Sequence, residues 1–385
     1  MTISASSWGR ALVWTLIAAA FIGPGTVATA TRAGTQGGLA YLPFVLLAAV
    51  AGFVFMEMAA RVTIVSGQSL GVHLHKTARW LPTLVFGAVA FGCMAYQAGN
   101  LSGALGGLQL LYPFDRGWLL PLAGAIVGLM WTGSADRIGR VMALVVALMG
   151  VLFVVAAALI LFGEAPAERA YTPLDATVLL GLVGTTIVPY NFFLAAGLGD
   201  GGELPEMRRG LLVSFGLGWL ITAAIVVVGS TTDAFASFGD LATGLQLTLG
   251  EYGRLVLAVG LFAAGFSSAT TAPFAAAMAG RGLIGSGPGW ETNGRAFRIT
   301  WAVVLGVGLA VALLGLDIVG VILLAQIFNG LLLPFIAAVV LLLANRRSLL
   351  GEEVNSWWQN AIAVAVLAFL TYQTAVFFFG LIAGR

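Results

Sequence analysis

The sequence predicts an all-α polytopic membrane protein, built from two inverted repeats of five helices plus an eleventh helix. Of its 385 residues, 60% are hydrophobic and only 9% are charged, whereas soluble domains carry about 25% charged residues. Apolar runs long enough to cross a bilayer recur along the whole chain. The first and sixth runs are interrupted by proline and glycine, which is the pattern of inverted-repeat transporters with broken helices.

The apolar runs lie between charged or Gly/Pro-rich breaks, and we number them span 1 to span 11. They cover residues 11–33, 39–66, 80–111, 118–133, 138–163, 174–199, 208–230, 251–280, 297–315, 318–344 and 356–381. We interpret 1–385 as a single transmembrane domain, with repeat one at about 8–163, repeat two at about 172–344 and the extra helix at about 356–381. The odd number of spans places the two termini on opposite sides of the membrane.

The basic residues predict the orientation. With the N-terminus inside, thirteen of the 18 Lys and Arg residues lie on the inner side. The other five lie outside, namely Arg32, Arg116, Arg169, Arg254 and Arg385. Inner loops of membrane proteins carry the excess of positive charge. We therefore predict a cytoplasmic N-terminus and an integral protein of a bacterial inner membrane.

The composition also argues against several classes of protein. The chain has no phosphate-binding loop or nucleotide-binding fingerprint, so we expect neither an enzyme nor a transporter driven by its own ATP hydrolysis. Its single cysteine, Cys93, rules out an intramolecular disulfide and a cysteine-based metal site. We expect no cofactor and no nucleic-acid partner, and the remaining partners are the lipid bilayer and a small solute or metal ion.

Two spans are broken in the same way. Span 1 contains GPGT at 23–26, and span 6 contains GTTIVPYN at 184–191. A proline inside a helix removes a backbone hydrogen bond, and glycine lowers the cost of unwinding. Unwound backbone within a bilayer is tolerated where it is buried in protein or lines a cavity. Either break alone could be an ordinary kink, but breaks at positions 1 and 6 of a ten-helix core predict a central substrate site, with unwinding at 23–26 and 187–190.

Several segments resemble a known family. IGPGTVATATRAGTQGG, starting at residue 22, resembles the first-helix signature of the Nramp metal transporters, which usually reads Asp-Pro-Gly-Asn, then Ala-Thr and Ala-Gly-x-Gln-x-Gly. Further matches are EMAARVTIVSGQSL, GTTIVPYNFFL, AAGFSSATTAP and AQIFNGLLLPF in spans 2, 6, 8 and 10. The resemblance covers nearly the whole chain. It implies a LeuT-type five-plus-five inverted repeat with an eleventh helix, and a monomer.

The sequence departs from this family at the positions that bind the metal and relay protons in the family. The metal-binding Asp, the Asn, the Met and the His of the family are replaced here by Gly23, Thr26, Val188 and Tyr190. Two carboxylates that relay protons in the family fall on Gln97 and Asn100 of span 3. Asn191 and the span 10 glutamine, Gln326, are retained. Because none of these side chains titrates near neutral pH, we expect alternating-access transport without the usual proton coupling.

The expected pocket is polar but neutral. Its predicted residues are Gly23, Thr26, Thr185, Val188, Tyr190, Asn191 and Gln326. Sites for Mn²⁺ and Fe²⁺ use carboxylate, imidazole or thioether ligands, whereas Mg²⁺ keeps several waters. If a metal binds, we expect a hard, partly hydrated ion held by Thr26, Thr185 and Gln326. The alternative is a small organic or anionic solute, such as an amino acid, held by the half-helix N-termini after Pro24 and Pro189.

One acidic residue lies well inside a span. Glu57 is near the inner end of span 2, and Arg61 follows four residues later on the same helical face. An i,i+4 ion pair is therefore available. Two interpretations stay open, namely an inner gate that opens and closes with transport, and a structural anchor at the cytoplasmic interface.

Overall fold

The computed structural model describes residues 13–163, 174–285, 287–316 and 332–382. Within these ranges the secondary structure is entirely helical. The helices that form the spans run Thr15–Phe21 with Pro24–Gly37, Leu42–Ser66, Leu81–Gln109, Leu119–Trp131, Ala135–Phe162, Ala176–Thr186 with Pro189–Leu198, Leu204–Gly229, Glu251–Leu283, Arg295–Leu313, Leu332–Ala344 and Trp357–Ile382. Helices outside the spans are Leu70–Thr77, Phe238–Leu249 and Arg347–Leu350.

Every predicted span contains a described helix. Eight helical segments are long and apolar enough to cross a membrane, and one of these, Pro24–Ser66, contains both the second half of span 1 and span 2. Spans 4 and 10 are represented by the shorter apolar helices Arg116–Trp131 and Leu332–Ala344. The predicted pocket residue Gln326 lies outside the described residues.

Span 1 is discontinuous, as predicted, but the break lies at Ile22 and Gly23. The helix Thr15–Phe21 ends at Ile22, whose backbone leaves the helical region at ψ 79°. Gly23 is extended, with φ −116° and ψ −174°, and Pro24 begins the next helix. The predicted unwinding at 23–26 therefore starts one residue too late and extends too far. The reason is that the fixed φ of proline suits the first turn of a helix, where its missing N–H is no loss.

Span 6 breaks with the same local geometry. The helix Ala176–Thr186 ends at Ile187, with ψ 82°. Val188 is extended, with φ −91° and ψ 131°, and Pro189 starts the second half. Here too the proline is the first helical residue, so the unwound part is two residues long and not the predicted 187–190. In both spans an isoleucine ends the first half-helix, an extended residue follows, and a proline begins the second half-helix.

Spans 3 and 8 pack closely against each other beside the break of span 1. Their backbones are in contact at two glycines: a Cβ on Gly265 would lie 2.6 Å from the Ala104 Cα, and one on Gly107 would lie 2.5 Å from the Phe262 nitrogen. Gly103, also in span 3, leaves room for the ring of Pro24, whose Cβ would be 2.5 Å from an added Cβ. Small residues let helix backbones approach closely in membranes. The break of span 1 is therefore held against a rigid pair of helices.

Candidate functional site

The two breaks meet through one tyrosine. Tyr190, at the start of the second half of span 6, donates its hydroxyl to the carbonyl oxygen of Ala20 in span 1, at 2.8 Å. Its ring packs edge-on against Tyr96 of span 3, with ring centroids 6.2 Å apart. Tyr190 is 3% exposed. A neutral hydrogen bond of Tyr190 therefore joins the two broken spans, and its ring contact joins them to span 3 at the same buried point.

The carbonyl end of Thr15–Phe21 is fully satisfied. The last four carbonyls of a helix have no partner within the helix. Here the Ala18 oxygen accepts from the Ile22 N–H at 2.9 Å, and the Phe21 oxygen accepts from the Thr26 hydroxyl. The Ala19 oxygen accepts from two hydroxyls of span 8, those of Ser268 and Thr271. Side chains supply most of these donors, so the break is closed by hydroxyl groups.

Span 8 contributes two hydroxyls that the sequence did not assign to the site. Ser268 donates to the Ala19 oxygen at 3.1 Å, and Thr271 donates to the same oxygen at 3.3 Å. Both residues are at most 1% exposed. The signal was present in the segment SSATT at 267–271, where four hydroxyl residues interrupt an apolar span. Such residues commonly bond only within their own helix, so their role could not be read from the sequence.

Gly23 faces a space that is already filled. A Cβ added at Gly23 would lie 2.6 Å from the Ser268 Oγ and 3.5 Å from the Asn100 Oδ1. Its backbone φ of −116° is open to any residue, so packing alone requires glycine here. A carboxylate at this position would need the Ser268 hydroxyl to move. The serine thus occupies the room that a longer side chain at position 23 would take.

The end of the first half of span 6 uses its hydroxyls locally. Thr185 and Thr186 both donate to the Leu182 oxygen, at 3.2 Å and 2.8 Å. Val188, the residue before Pro189, is buried and apolar. Gly184 is buried, yet among the described residues nothing outside its own stretch of helix lies within 4 Å of a Cβ added there. The described residues therefore leave room beside this break, next to the hydroxyls of Thr185 and Thr186.

Three buried amides have unused hydrogen-bonding capacity. Asn191 has no exposed surface, and among the described residues neither its Nδ2 nor its Oδ1 has a hydrogen-bond partner. Gln97 donates from Nε2 to the Ala269 oxygen at 2.9 Å, but within the same residues its Oε1 and the Nδ2 of Asn100 have no partner. An unpaired buried polar group costs about 1–3 kcal/mol, so these amides have hydrogen-bonding capacity that a substrate could use.

The site is electrically neutral. Within the described residues, no three His, Cys, Asp or Glu side chains come close enough together to hold a metal ion. Among the same residues, the buried Arg, Lys, Asp and Glu side chains are Glu57 and Arg61, both in the second half of the span 2 helix. Thr26, Tyr190 and Gly23 come together at the junction of the spans, with Asn100 beside them. Thr185 and Val188 line the other break.

Glu57 and Arg61 form the predicted ion pair and join a larger network. The Arg61 and Glu57 side chains are 3.1 Å apart, and both residues are 1% exposed. The other Glu57 oxygen lies 2.9 Å from the Nε of Arg208 in span 7. Arg208 also reaches the carboxylate of Glu353 at 3.0 Å. Two acidic and two basic side chains therefore balance each other between span 2, span 7 and the connection before span 11.

The connection before span 11 adds neutral partners to this network. Arg61 donates to the backbone oxygen of Glu353 and to the side-chain oxygen of Asn355. Gln359, in the first turn of span 11, donates to Glu57 at 3.2 Å. Sequence reasoning missed Arg208, Glu353 and Gln359, because residues 145 to 302 positions apart reveal no pairing without an alignment. We call Glu57, Arg61, Arg208 and Glu353 the inner network.

The fold and the site define a class of protein. Membrane-length helices, two of them broken at facing points and lined by neutral oxygens and amides, are the architecture of a secondary transporter. A family model described as Natural resistance-associated macrophage protein-like matches residues 14–380. The chain therefore belongs to the Nramp family.

Curated relatives carry transporter names. The divalent metal cation transporter MntH of Acidiphilium cryptum is 29% identical over 367 residues, covering 86% of this chain and 81% of that protein. The divalent metal cation transporter MntH of Deinococcus radiodurans is 25% identical over 392 residues, covering 92% and 87%. These relatives are transporters and not enzymes, in agreement with the expectation from the sequence.

Solved structures confirm the fold. The Eremococcus coleocola manganese transporter, in complex with an aromatic bis-isothiourea substituted compound, matches with a TM-score of 0.79 at 18% identity, covering 98% of this chain and 88% of that chain. MhsT in complex with L-phenylalanine matches with a TM-score of 0.68 at 14% identity, covering 98% of both chains. The chain is an integral membrane protein with the LeuT-type fold. At these identities the match concerns the fold alone.

Proposed function

We propose that this protein carries a hard, partly hydrated divalent cation of the Mg²⁺ type across the membrane by alternating access. The observation that carries the proposal is the chemistry of the junction, where the described polar groups are hydroxyls, amides and backbone carbonyls. These are oxygen and nitrogen groups without charge. A cation that keeps part of its water shell tolerates such a site, because its waters bridge to neutral oxygens. Mn²⁺ and Fe²⁺ favour the carboxylate, imidazole and thioether ligands that this chain has lost.

Family membership supports a metal substrate. The curated relatives are named as divalent metal cation transporters, and this chain shares their fold over most of its length. The replacement of the family's ionisable groups at Gly23 and Tyr190 argues for a change of ion and not for a dead site. A site without a ligand could have filled with leucine, whereas here Asn191, Gln97 and Asn100 remain buried and partly unpaired.

We further propose that transport lacks proton coupling through span 3. Gln97 and Asn100 occupy the positions of the family's carboxylates, and both are buried and neutral. A proton relay in a membrane needs ionisable groups in its path. The inner network would serve as the gate on the cytoplasmic side, since it ties span 2 and span 7 to the segment before span 11.

A second candidate is a small organic or anionic solute. It is favoured by the unpaired Nδ2 donors of Asn191 and Asn100. A cation has no use for N–H donors, whereas a carboxylate or a carbonyl accepts from them. A cation would contact the oxygens of these amides, whereas an anionic or carbonyl solute would accept from their N–H groups. Binding experiments therefore separate the two candidates.

A titration of the purified full-length protein tests the proposal. Thermal stability and heat of binding are measured against Mg²⁺, Mn²⁺, amino acids and small carboxylates. We expect a response to Mg²⁺ that exceeds the response to Mn²⁺. Tight Mn²⁺ binding would refute the ligand argument, and a response to amino acids alone would establish the second candidate.

Substitution of Thr26 tests the location of the site. The Thr26 hydroxyl lies at the junction and is 1% exposed. We expect Thr26→Leu to abolish Mg²⁺ binding while the protein stays folded, because the larger apolar side chain fills the junction. Thr31→Val, which removes an unpaired buried hydroxyl from the same half-helix, is the control and should bind normally. Unchanged transport in Thr26→Leu would place the site elsewhere.

A further inference from the structure

Two carbonyl oxygens at the break face hydroxyls from neighbouring spans. Ala19 and Ala20 lie in the last turn of Thr15–Phe21, at the negative end of the helix dipole. Carbonyl oxygens are among the ligands that hard divalent cations prefer. Here they accept instead from Tyr190, Ser268 and Thr271, which belong to spans 6 and 8. The three donors are between 0% and 3% exposed.

The hydroxyls and the amides of the site differ in how they are used. Within the described part of the chain the side-chain amide of Asn191 has no hydrogen-bond partner, while the three hydroxyls all donate to carbonyl oxygens. Each of the three hydroxyls donates to a carbonyl oxygen and so occupies a lone pair that a cation would otherwise contact. A cation that binds there must first displace the hydrogen. The substrate and the hydroxyls therefore compete for the same oxygens.

We propose that Tyr190, Ser268 and Thr271 form a hydroxyl cap that competes with the transported cation for the carbonyls of Ala19 and Ala20 and so sets a low affinity. The inference rests on the proposed function, because it takes the substrate to be a cation. The cap hydroxyls oppose binding of the cation and do not coordinate it. The capped state holds the broken spans together without substrate, and substrate binding replaces three hydrogen bonds by cation–oxygen contacts.

The three hydroxyls differ in what their release costs. The single hydroxyl proton of Thr271 is shared between the Ala19 oxygen at 3.3 Å and the nearer Ser267 oxygen of its own helix at 2.9 Å, so Thr271 keeps a partner when Ala19 is released. For Tyr190 and Ser268 the described residues show one acceptor each, Ala20 and Ala19. Losing a hydrogen bond without replacement costs more than exchanging it. We therefore expect the hydroxyls of Tyr190 and Ser268 to weaken cation binding more than the hydroxyl of Thr271 does.

Span 8 supplies matched controls beside the cap residues. Ser267 donates to the Ala264 oxygen at 3.1 Å, and Thr270 donates to the Phe266 oxygen at 2.9 Å. Both are fully buried, like Ser268 and Thr271, but they bond within their own helix. Ser267→Ala and Thr270→Val therefore remove the same chemical group from the same helix without touching the break.

The decisive experiment measures Mg²⁺ affinity by calorimetry on the purified full-length protein. In the empty protein, removing the Tyr190 hydroxyl takes away the donor to the Ala20 oxygen, and removing the Ser268 hydroxyl leaves the Ala19 oxygen with Thr271 alone. The cation–oxygen contacts of the loaded protein are unchanged, so binding tightens. We expect Kd to fall about fivefold in Tyr190→Phe and in Ser268→Ala, the factor for one hydrogen bond of ~1 kcal/mol. Thr271→Val should show a smaller fall, and both control variants should match the wild type. Weaker binding in the cap variants would show that the hydroxyls are ligands and would overturn the cap.

A second measurement without Mg²⁺ separates the cap from the identity of the ion. Cys93 is buried on span 3, three residues before Tyr96, whose ring packs against Tyr190, and its modification rate by N-ethylmaleimide reports opening of the junction. We expect modification to be several-fold faster in Ser268→Ala and Thr271→Val than in their controls. Faster modification with no Mg²⁺ response in any protein would support the cap and reject the proposed ion. Unchanged modification and unchanged affinity would reject the cap. If Ser268→Ala does not fold, Thr271→Val and Tyr190→Phe provide the same comparison.

Discussion

At the residue scale, the two buried glycines of the breaks have different reasons to be glycine. A Cβ at Gly23 would lie too close to the Ser268 Oγ, at 2.6 Å, whereas a Cβ at Gly184 would meet none of the described residues outside its own stretch of helix. Neither residue needs a positive φ. Steric contact is therefore the reason at Gly23, and at Gly184 the chain leaves room that a substrate or a water molecule can use.

We predict that Gly23→Ala lowers the thermal stability of the protein while Gly184→Ala does not. The added methyl at position 23 overpacks the junction, which costs ~1–3 kcal/mol. At position 184 alanine is the better helix former, by up to ~1 kcal/mol, and its methyl meets none of the described residues outside its own stretch of helix. Thermal unfolding of both variants in detergent measures the difference. Adding Ser268→Ala to Gly23→Ala should restore part of the loss, since the Ser268 Oγ is the nearest atom. Equal stability of the two single variants would contradict the described packing.

At the scale of the elements, the inner network joins spans from both predicted repeats to the connection before span 11. Its core is buried, because Glu57 and Arg61 are 1% exposed. Its edge is open to water, because the side chains of Arg208 and Glu353 are 43% and 45% exposed. Breaking a buried pair is strongly destabilising, whereas an exposed pair contributes at most ~1 kcal/mol. The edge is therefore the part that can open without unfolding the protein.

We predict that Glu353→Gln makes the inner side open more often. The substitution leaves the buried Glu57–Arg61 pair intact and removes one partner of Arg208 at the edge. Modification of Cys93 by a reagent added on the inner side should become about threefold faster, the factor for an exposed pair of ~0.6 kcal/mol. Asp200→Asn is the control, because it removes another exposed inner ion pair, with Arg281 at 3.1 Å. The same rate in Glu353→Gln and the wild type would argue for an anchor and against a gate.

At the scale of the whole molecule, the sequence alone was sufficient for the fold. Span positions follow from apolar runs, and the two breaks follow from Pro24 and Pro189, because proline acts locally. The junction could be predicted only in part. Tyr190 and Thr26 were found through their place beside a proline, while Ser268 and Thr271 required the packing of span 8 against span 1. The domain division into repeats, the inner N-terminus and the monomeric state stay predictions.

The last prediction concerns the energy source of the whole transporter. In liposomes with an inward Mg²⁺ gradient, we expect Mg²⁺ uptake without acidification of the interior, since Gln97 and Asn100 cannot relay a proton. Gln97→Glu restores a titratable group whose protonated form can still donate to the Ala269 oxygen, as Gln97 does at 2.9 Å. Burial favours the neutral form of such a carboxyl, so uptake by this variant should become pH-dependent. Gln109→Glu, at the C-terminal end of the span 3 helix, is the control. Acidification by the wild type that disappears when Gln97 or Asn100 is replaced would show that protons use this path after all.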